Sequence, residues 1–234
     1  MIDEKVAVIT GASRGIGAGL VAAYRDAGFK VIANGLSIGE SADPNVRNVA
    51  GDISDPKTAD LIMSEGLAGF GRLDTLVNNA GAYISKPFTE YTPDDCGLML
   101  STNLTGFFHI TQRALRVMEA QGWGHIVTIT ATVAEQPVKG VPATLASLTK
   151  GGLNSVTKAL AIEYASCGIR VNAVSPTLIR THPEASYAGL EAQIPLGRIG
   201  EIEDVVSAVM YLESASYVTG EISHVDGGQS AGHW

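Results

Sequence analysis

The sequence predicts an α/β protein: one doubly wound domain whose seven-stranded, mainly parallel sheet carries helices on both faces. Three observations predict it. Short apolar, β-branched runs alternate with longer segments of helical spacing along all 234 residues. That alternation makes neighbouring strands parallel, because each helix returns the chain to the same end of the sheet. Apolar residues make up 45% of the chain and charged ones 17%, the balance of a compact or oligomeric globule.

Val6 to Thr10 is a short apolar run ending at a glycine, which reads as a buried strand. Gly15 to Ala27 places Ile16, Leu20, Ala23 and Ala27 at helical spacing and stops at Gly28. Lys30 to Asn34 is a second strand, and Val46 to Gly51 a third that ends at Asp52. Pro56 to Gly69 is helical, followed by a strand from Leu73 to Asn78. Pro93 opens one long helix to about Met118, broken by Gly122 and Gly124. His125 to Thr130 is β-branched and strand-like. Ala143 to Ser166 is a long helix ending near Gly168. Ile169 to Val174 is a strand stopped by Pro176, Glu201 to Leu212 a helix, and Glu221 to Val225 a last strand. No linker, repeat or low-complexity tract intervenes, so residues 1–234 read as a single domain. Leu178 to Pro195 is the one loop without clear order.

The net charge of −8 repels phosphate backbones and excludes nucleic acid as an expected partner. Glycine loops and helix N-termini bind small anions without net positive charge. Cys96 and Cys167 form no C-x-x-C pair, so reduced thiols are expected. Met1 to Lys5 is charged and leads straight into a strand, so no secretory leader is expected. No apolar run approaches the ~20 residues that span a bilayer. A soluble, cytoplasmic protein with no membrane partner follows. His109, beside Phe107 and Phe108, reads as a packed helix residue. His125 and His224 sit at strands and His182 in the loop; they share no metal-ligand spacing, and no metal is expected.

The first strand runs into Thr10-Gly11-Ala12-Ser13-Arg14-Gly15-Ile16-Gly17 and then a helix. Gly11 allows the tight turn, Gly15 lets backbone approach a pyrophosphate, and Gly17 permits close helix–strand packing. The helix N-terminus offers unpaired N–H groups and partial positive charge to phosphates. Gly11, Ser13, Arg14, Gly15, Ile16 and Gly17 are therefore the expected contacts of a dinucleotide on a Rossmann-type domain. This loop resembles the cofactor loop of the short-chain dehydrogenase/reductase family. Other family motifs stand in order: Asn78-Asn79-Ala80-Gly81, Asn103 in Ser101-Thr102-Asn103-Leu104-Thr105-Gly106, and Lys150 in Thr149-Lys150-Gly151-Gly152-Leu153. Val174-Ser175-Pro176, Pro195-Leu196-Gly197-Arg198 and Val225-Asp226-Gly227-Gly228 follow. The resemblance covers essentially the whole chain, most closely the ketoacyl-carrier-protein-reductase-like branch.

The resemblance implies a nicotinamide cofactor. An acid at the end of the second strand would accept the ribose 2′-OH of NAD and repel a 2′-phosphate. This strand ends Ala33-Asn34-Gly35-Leu36-Ser37, and the acid is absent. The resemblance places Gly35 at the discriminating position, and a guanidinium at Arg14 can pair with a 2′-phosphate. NADP(H) is therefore preferred, with NAD(H) possible. By the same resemblance Asp52 and Ile53 touch the adenine. Asn79, Ala80 and Gly81 line the adenosine ribose and the crevice. Lys150 holds the nicotinamide ribose, and Pro176, Ile179 and Thr181 lie at the carboxamide, with Thr177 where glycine is usual.

Family catalysis implies a relay of Ser, Tyr, Lys and Asn. Asn103 and Lys150 are present. Four residues before Lys150 stands Ala146, no Tyr-x-x-x-Lys occurs anywhere, and Ala131 occupies the Ser position. The stretch between them is about two residues longer than usual, so a bulge could bring Thr130, Thr132, Thr144 or Ser147 into the site; Asn103, Lys150 and Thr132 are the catalytic candidates. Other candidate proton donors are a water held by Asn103 and Lys150, or Lys150 itself if burial lowers its pKa. A general acid contributes ~10²–10⁴ in rate, so its loss carries weight. Three readings stand: an oxidoreductase with an atypical site, a non-redox enzyme on this fold, and a catalytically silent dinucleotide-binding sensor or scaffold. The long helices near Pro93–Met118 and Ala143–Ser166 resemble those that pair in family oligomers, implying a homotetramer, with a dimer second. The loop Leu178–Pro195 corresponds to a short substrate lid, suiting a small-molecule or carrier-bound carbonyl substrate.

Overall fold

A computed structural model describes residues 4–181 and 187–232. Seven strands, β1 (Val6–Ile9), β2 (Lys30–Gly35), β3 (Val46–Ala50), β4 (Thr75–Asn78), β5 (Gly124–Ile129), β6 (Ile169–Pro176) and β7 (Ile222–Val225), form one sheet in the order β3-β2-β1-β4-β5-β6-β7. Every pairing is parallel, so the sheet is parallel throughout rather than only mainly parallel as expected. The six α-helices are α1 (Gly15–Asp26), α2 (Pro56–Phe70), α3 (Pro93–Leu100), α4 (Gly106–Gln121), α5 (Thr144–Tyr164) and α6 (Ile202–Ser214).

Alternation along β1 shows how the sheet is covered twice. Val6 and Val8 point into a core with Ile62, Ile110, Met118, Ile126 and Val171, beneath α2, α4 and α5. Ala7 and Ile9 point into the opposite core, with Leu20, Tyr24, Val127, Val205 and Val209, beneath α1 and α6. Burial on both faces is why the strands read as apolar runs rather than strict alternation. From β1 the chain winds outward to β2 and β3, then crosses back to β4 on the other side of β1. The connections leaving β1 and β4 therefore diverge and open a crevice at their carboxyl ends.

Local sequence explains the helix ends. Asp55 caps α2, its side chain accepting from the Lys57 N–H at 2.9 Å ahead of Pro56, and Gly71 closes it at φ 74°. Thr92 and Asp95 form a reciprocal capping box for α3.

The expected single helix from Pro93 to Met118 is a helical run interrupted by a π turn at Ser101–Thr105. Periodicity could not reveal this, because a π turn adds one residue without breaking the helix. The expected stop of the sixth strand at Val174 is also corrected: Ser175 and Pro176 still pair with His224 and Val225. In the loop expected from Leu178 to Pro195, Ile179 forms a parallel bridge with Gly200, and Glu191–Gln193 makes a short 3₁₀ turn. His182 and Pro183 of that loop lie outside the described residues, as do His233 and Trp234.

Candidate active site

The crevice between β1 and β4 holds a cleft of about 520 Å³. Its floor is the glycine loop. Gly11 has φ +65°, and a Cβ there would stand 2.8 Å from the Ala80 Cα. A Cβ on Gly17 would overlap the Gly11 carbonyl oxygen and lie 2.7 Å from Asn79 Nδ2. Both positions need glycine, because the loop after β4 presses directly on the loop after β1. Thr10 and Asn79 bind the two loops together. The Thr10 hydroxyl accepts from the Asn79 and Ala80 N–H groups, both at 3.0 Å. Asn79 Nδ2 donates to the Thr10 and Gly11 carbonyls at 2.9 and 3.0 Å. The N-terminus of α1 thus faces the cleft, with Ser13, Arg14, Ile16 and Thr181 beside it.

The predicted cofactor contacts Gly11, Ser13, Arg14, Gly15, Ile16, Gly17, Asp52, Ile53, Asn79, Ala80, Gly81 and Thr181 all line this cleft. Pro176, Ile179 and Lys150 do not line it: Pro176 is buried at the end of β6, the Ile179 side chain packs into the core beneath α1 and α6, and Lys150 lines a separate small cavity of about 10 Å³. The cleft is also walled by Asn34, Leu36, Ser37, Gly51, Leu98 and Thr102, none of which had been assigned a contact. Leu98 and Thr102 lie far away in sequence, and only the π-interrupted helix brings them there. Asn34 braces the wall, its amide donating to the Val49 and Gly51 carbonyls at 3.0 and 3.1 Å. At the end of β2, Gly35 faces Ser13: a Cβ would stand 3.1 Å from Ser13 Cβ. Arg14 occupies the N-cap position of α1, is exposed, and makes no capping hydrogen bond.

Behind the cleft wall, sharing Ile53, Ala80 and Thr102 with it, a small cavity of about 10 Å³ is lined by Asn103 and Lys150. The π turn faces Asn103 inward, where its side chain clamps Ala82 at both ends. Oδ1 accepts from the Ala82 N–H at 2.8 Å, and Nδ2 donates to the Ala82 carbonyl at 3.0 Å. Nδ2 also donates to the Thr149 hydroxyl at 3.1 Å. Lys150 Nζ donates to the Ile129 carbonyl at 2.7 Å. Burial lowers its pKa from the usual lysine range to about 8. A Cβ on Gly81 would lie 3.2 Å from Lys150 Nζ and 3.4 Å from Asn103 Oδ1. Asn103 and Lys150 therefore meet behind Gly81, which lines the cleft.

The expected substitute hydroxyls do not reach that point. Thr132 is fully buried, and its hydroxyl donates to the Ser175 carbonyl at 3.3 Å, toward β6. Thr130 is likewise spent on the Val174 carbonyl, and Ser147 on the Val133 carbonyl at 2.7 Å. Thr144 is exposed at the first position of α5. The Thr130, Thr132 and Ser147 hydroxyls are thus each committed to a backbone carbonyl, two of them on β6 and the third at Val133. Ala146 is 1% exposed and packs with Met99, Leu145 and Ala143, beside Ala82, Ile84 and Val133. The space at Ala146 is filled by carbon.

Elsewhere, His125 hydrogen-bonds Glu213 at 2.9 Å in a buried network, and His224 bonds Glu135 at 2.8 Å. Among the described residues no three His, Cys, Asp or Glu side chains gather as metal ligands, and no helix is long and apolar enough to cross a membrane.

Comparison with known proteins agrees with this geometry. Residues 11–230 match the family model described as enoyl-(acyl carrier protein) reductase. The chain is 35% identical over 241 residues to the 3-oxoacyl-[acyl-carrier-protein] reductase FabG of Salmonella typhimurium, covering 97% of each chain. It superposes on the 3-ketoacyl-(acyl-carrier-protein) reductase of Brucella melitensis complexed with NADH with a TM-score of 0.91. That match has 30% identity and covers 98% of this chain and 100% of the other. It also superposes on ElxO with NADP bound, with a TM-score of 0.90, 27% identity, and coverage of 98% and 100%.

Proposed function

The chain belongs to the short-chain dehydrogenase/reductase family, and from that premise we propose that it is an NADP(H)-dependent oxidoreductase acting on a carbonyl/alcohol pair with an atypical active site. The observation that carries this reading is the meeting of Lys150 and Asn103 at Gly81, at the end of a cleft whose glycine floor leaves room for a dinucleotide.

In this reading the α1 N-terminus and the glycine-loop N–H groups hold the pyrophosphate. Asp52 and Ile53 hold the adenine, and Asn79 to Gly81 the adenosine ribose. Ser13 and Arg14 receive the 2′-phosphate beside Gly35, where no carboxylate opposes it. Lys150 holds the nicotinamide ribose, and the backbone around Pro176, Ile179 and Thr181 the carboxamide. The bound dinucleotide supplies or accepts a hydride. Asn103 fixes Ala82 and so the wall against which the substrate lies. The activities of these relatives support a substrate of the 3-oxoacyl kind, small or carrier-bound. Affinities for NADPH and NADH by fluorescence titration, followed by NADPH oxidation over a panel of 3-oxoacyl thioesters and ketones, test the proposal. Tight NADPH binding with turnover of at least one ketone is expected. Binding without any turnover refutes the oxidoreductase reading and leaves the second one, a silent dinucleotide-binding protein. What favours that second reading is the apolar cluster closed over Ala146.

The assembly proposed with this reading is a homotetramer, with a dimer second. It is supported by an apolar hollow of about 550 Å³ on α4 and α5, lined by Phe107, Phe108, Leu115, Val156 and Leu160 among others. Light scattering measures the assembly, and Phe108→Glu is expected to reduce it.

A further inference from the structure

Resting on the oxidoreductase reading, we propose that the substrate is a small apolar ketone without negative charge, taken free from solution rather than from an anionic carrier. What carries this is a margin of exposed apolar side chains and carboxylates beside the apolar cluster that holds Ala146.

The charge of the chain is unevenly placed. In a parallel sheet every strand starts at one edge and ends at the other. Lys5, Lys30, Arg72 and Arg170 stand at the starts of β1, β2, β4 and β6. The crevice opens at the opposite edge, and the connections there are rich in acid. Asp52 and Asp55 follow β3, Glu90 and Asp94 follow β4, Glu135 follows β5 and Asp226 follows β7. Three cations on that edge are already paired: Lys86 with Asp95 at 2.6 Å, Arg180 with Glu201 at 3.2 Å and Arg198 with Asp204 at 2.7 Å. Arg14 precedes α1 and Lys57 begins α2, on the side where this reading lays the adenosine end of the dinucleotide. Lys139, in the connection from β5 to α5, is the exposed cation that remains on the Ala146 side of that edge.

Two carboxylates border the cluster directly in the chain. Glu90 precedes Tyr91, which packs against the cluster and whose hydroxyl donates to the Ile84 carbonyl at 2.9 Å. Asp94 lies one turn before Leu98, which walls the cleft, and Met99, which belongs to the cluster. Both are exposed, and neither has an ion-pair partner among the described residues. Apolar side chains share this margin. Phe88 is 67% exposed and meets Tyr91 edge-on, with ring centroids 6.4 Å apart. Leu148, 59% exposed, lies two residues beyond Ala146 on α5.

Exposed apolar surface is stabilised by covering the apolar body of a ligand. Unpaired carboxylates make the local potential negative and slow the approach of an anion. Both common carriers of acyl groups are anions: coenzyme A through its phosphates, an acyl carrier protein through its phosphopantetheine and acidic side chains. The dinucleotide is an anion too, but its phosphates have the glycine-loop N–H groups and the α1 N-terminus to receive them. A carrier at the Ala146 side has Lys139 alone.

The test compares three substrates with the same 3-oxobutyryl group at saturating NADPH: the N-acetylcysteamine thioester, the coenzyme A thioester and the thioester on an acyl carrier protein. At low salt kcat/KM should be about tenfold or more higher for the uncharged thioester than for either anionic one. The gap should narrow about threefold at about 0.3 M salt, as repulsion is screened. Glu90→Lys combined with Asp94→Asn should raise kcat/KM for the anionic substrates about threefold and leave the uncharged one within twofold, which also reports that the variant is folded. Lys139→Ala should leave the uncharged thioester within twofold. An anionic substrate that matches or exceeds the uncharged one, or that loses tenfold in Lys139→Ala, overturns the inference and leaves the oxidoreductase reading standing. A gap that neither salt nor the charge variant changes also overturns it, because size would then be doing the sorting. A protein that binds NADPH but reduces none of the three, nor an uncharged cyclic ketone, overturns the oxidoreductase reading and the inference with it.

Discussion

Replacing Gly35 with aspartate should turn the cofactor preference from NADPH to NADH. Gly35 ends β2 beside the glycine loop and does not need a left-handed backbone, so a side chain is allowed there. A Cβ would stand 3.1 Å from Ser13 Cβ and 3.3 Å from Ser13 Oγ. Ser13 is exposed and gives way by a few tenths of an ångström, so the fold is expected to tolerate the change. The electrostatic effect is larger. A carboxylate about 5 Å from a phosphate charge costs about 3 kcal/mol at an effective dielectric of about 20. The open lip, where Ser13, Arg14 and Leu36 are all exposed, screens this to about 1–2 kcal/mol. A carboxylate that accepts the ribose 2′-OH of NADH returns about 1.5–3 kcal/mol. Together these move the Kd ratio by about 3–4 kcal/mol, roughly a few hundredfold. Fluorescence titration of both cofactors on wild type, Gly35→Ala and Gly35→Asp measures the ratio. A shift below threefold in Gly35→Asp, with both cofactors still binding, would refute the placement of the 2′-phosphate. A shift of the same size in Gly35→Ala would assign the effect to bulk rather than charge.

Three further outcomes are expected. Gly17→Ala should abolish dinucleotide binding and lower Tm, because its Cβ meets the Gly11 carbonyl and Asn79; titration and melting curves that match wild type would remove the argument for a tight loop. Lys150→Met should raise Tm at pH 7. A lysine whose folded pKa is depressed to about 8 destabilises the fold at every pH below that value. The cost fades as pH rises toward about 10.4, so the gain should shrink across that window. The buried His125–Glu213 network should make the fold acid-sensitive. Burial lowers the His125 pKa. Burial pushes Glu213 up, but hydrogen bonds from His125, Thr75 and Tyr24 outweigh it and leave Glu213 lowered. Both groups therefore stabilise at neutral pH. The His125 contribution is lost as pH falls below about 6.5, and the Glu213 contribution below about 4.3. Glu213→Gln leaves a three-donor site mismatched and should cost about 2–4 kcal/mol at pH 7 by urea denaturation, with a flatter pH profile. A profile as steep as wild type would count against the network.

The strands and most helices were legible because burial on both sheet faces writes itself as apolar runs separated by helical spacing. The glycine floor was legible for a similar reason: a Cβ at Gly11 or Gly17 has nowhere to go, so the sequence must spell glycine there. What was not legible depends on where a helix turns its side chains. The π turn at Ser101–Thr105 inserts a residue without changing the apolar pattern, yet it decides that Asn103 points at Ala82 and that Leu98 and Thr102 wall the cleft. Thr132 was a reasonable candidate by spacing alone. Its hydroxyl went instead to a carbonyl of β6, a partner 43 residues away that no local pattern reveals.

Lys150 bears on the choice between a working enzyme and an inert binder. A lysine made to ionise near pH 8 is paying in stability, since one carbonyl bond to Ile129 does not replace the water its ammonium gave up. Structure alone gives no return for that cost: methionine would fill the same space, and Asn103 holds Ala82 without help from the ammonium. The return must come from a bound group. Ribose hydroxyls would provide it in either reading, but only a reaction would make the ammonium's charge state matter beyond binding. Catalytic turnover that falls through pH 8 while NADPH affinity stays level would place Lys150 in the proton path. If turnover and affinity fall together, its role ends at holding the ribose.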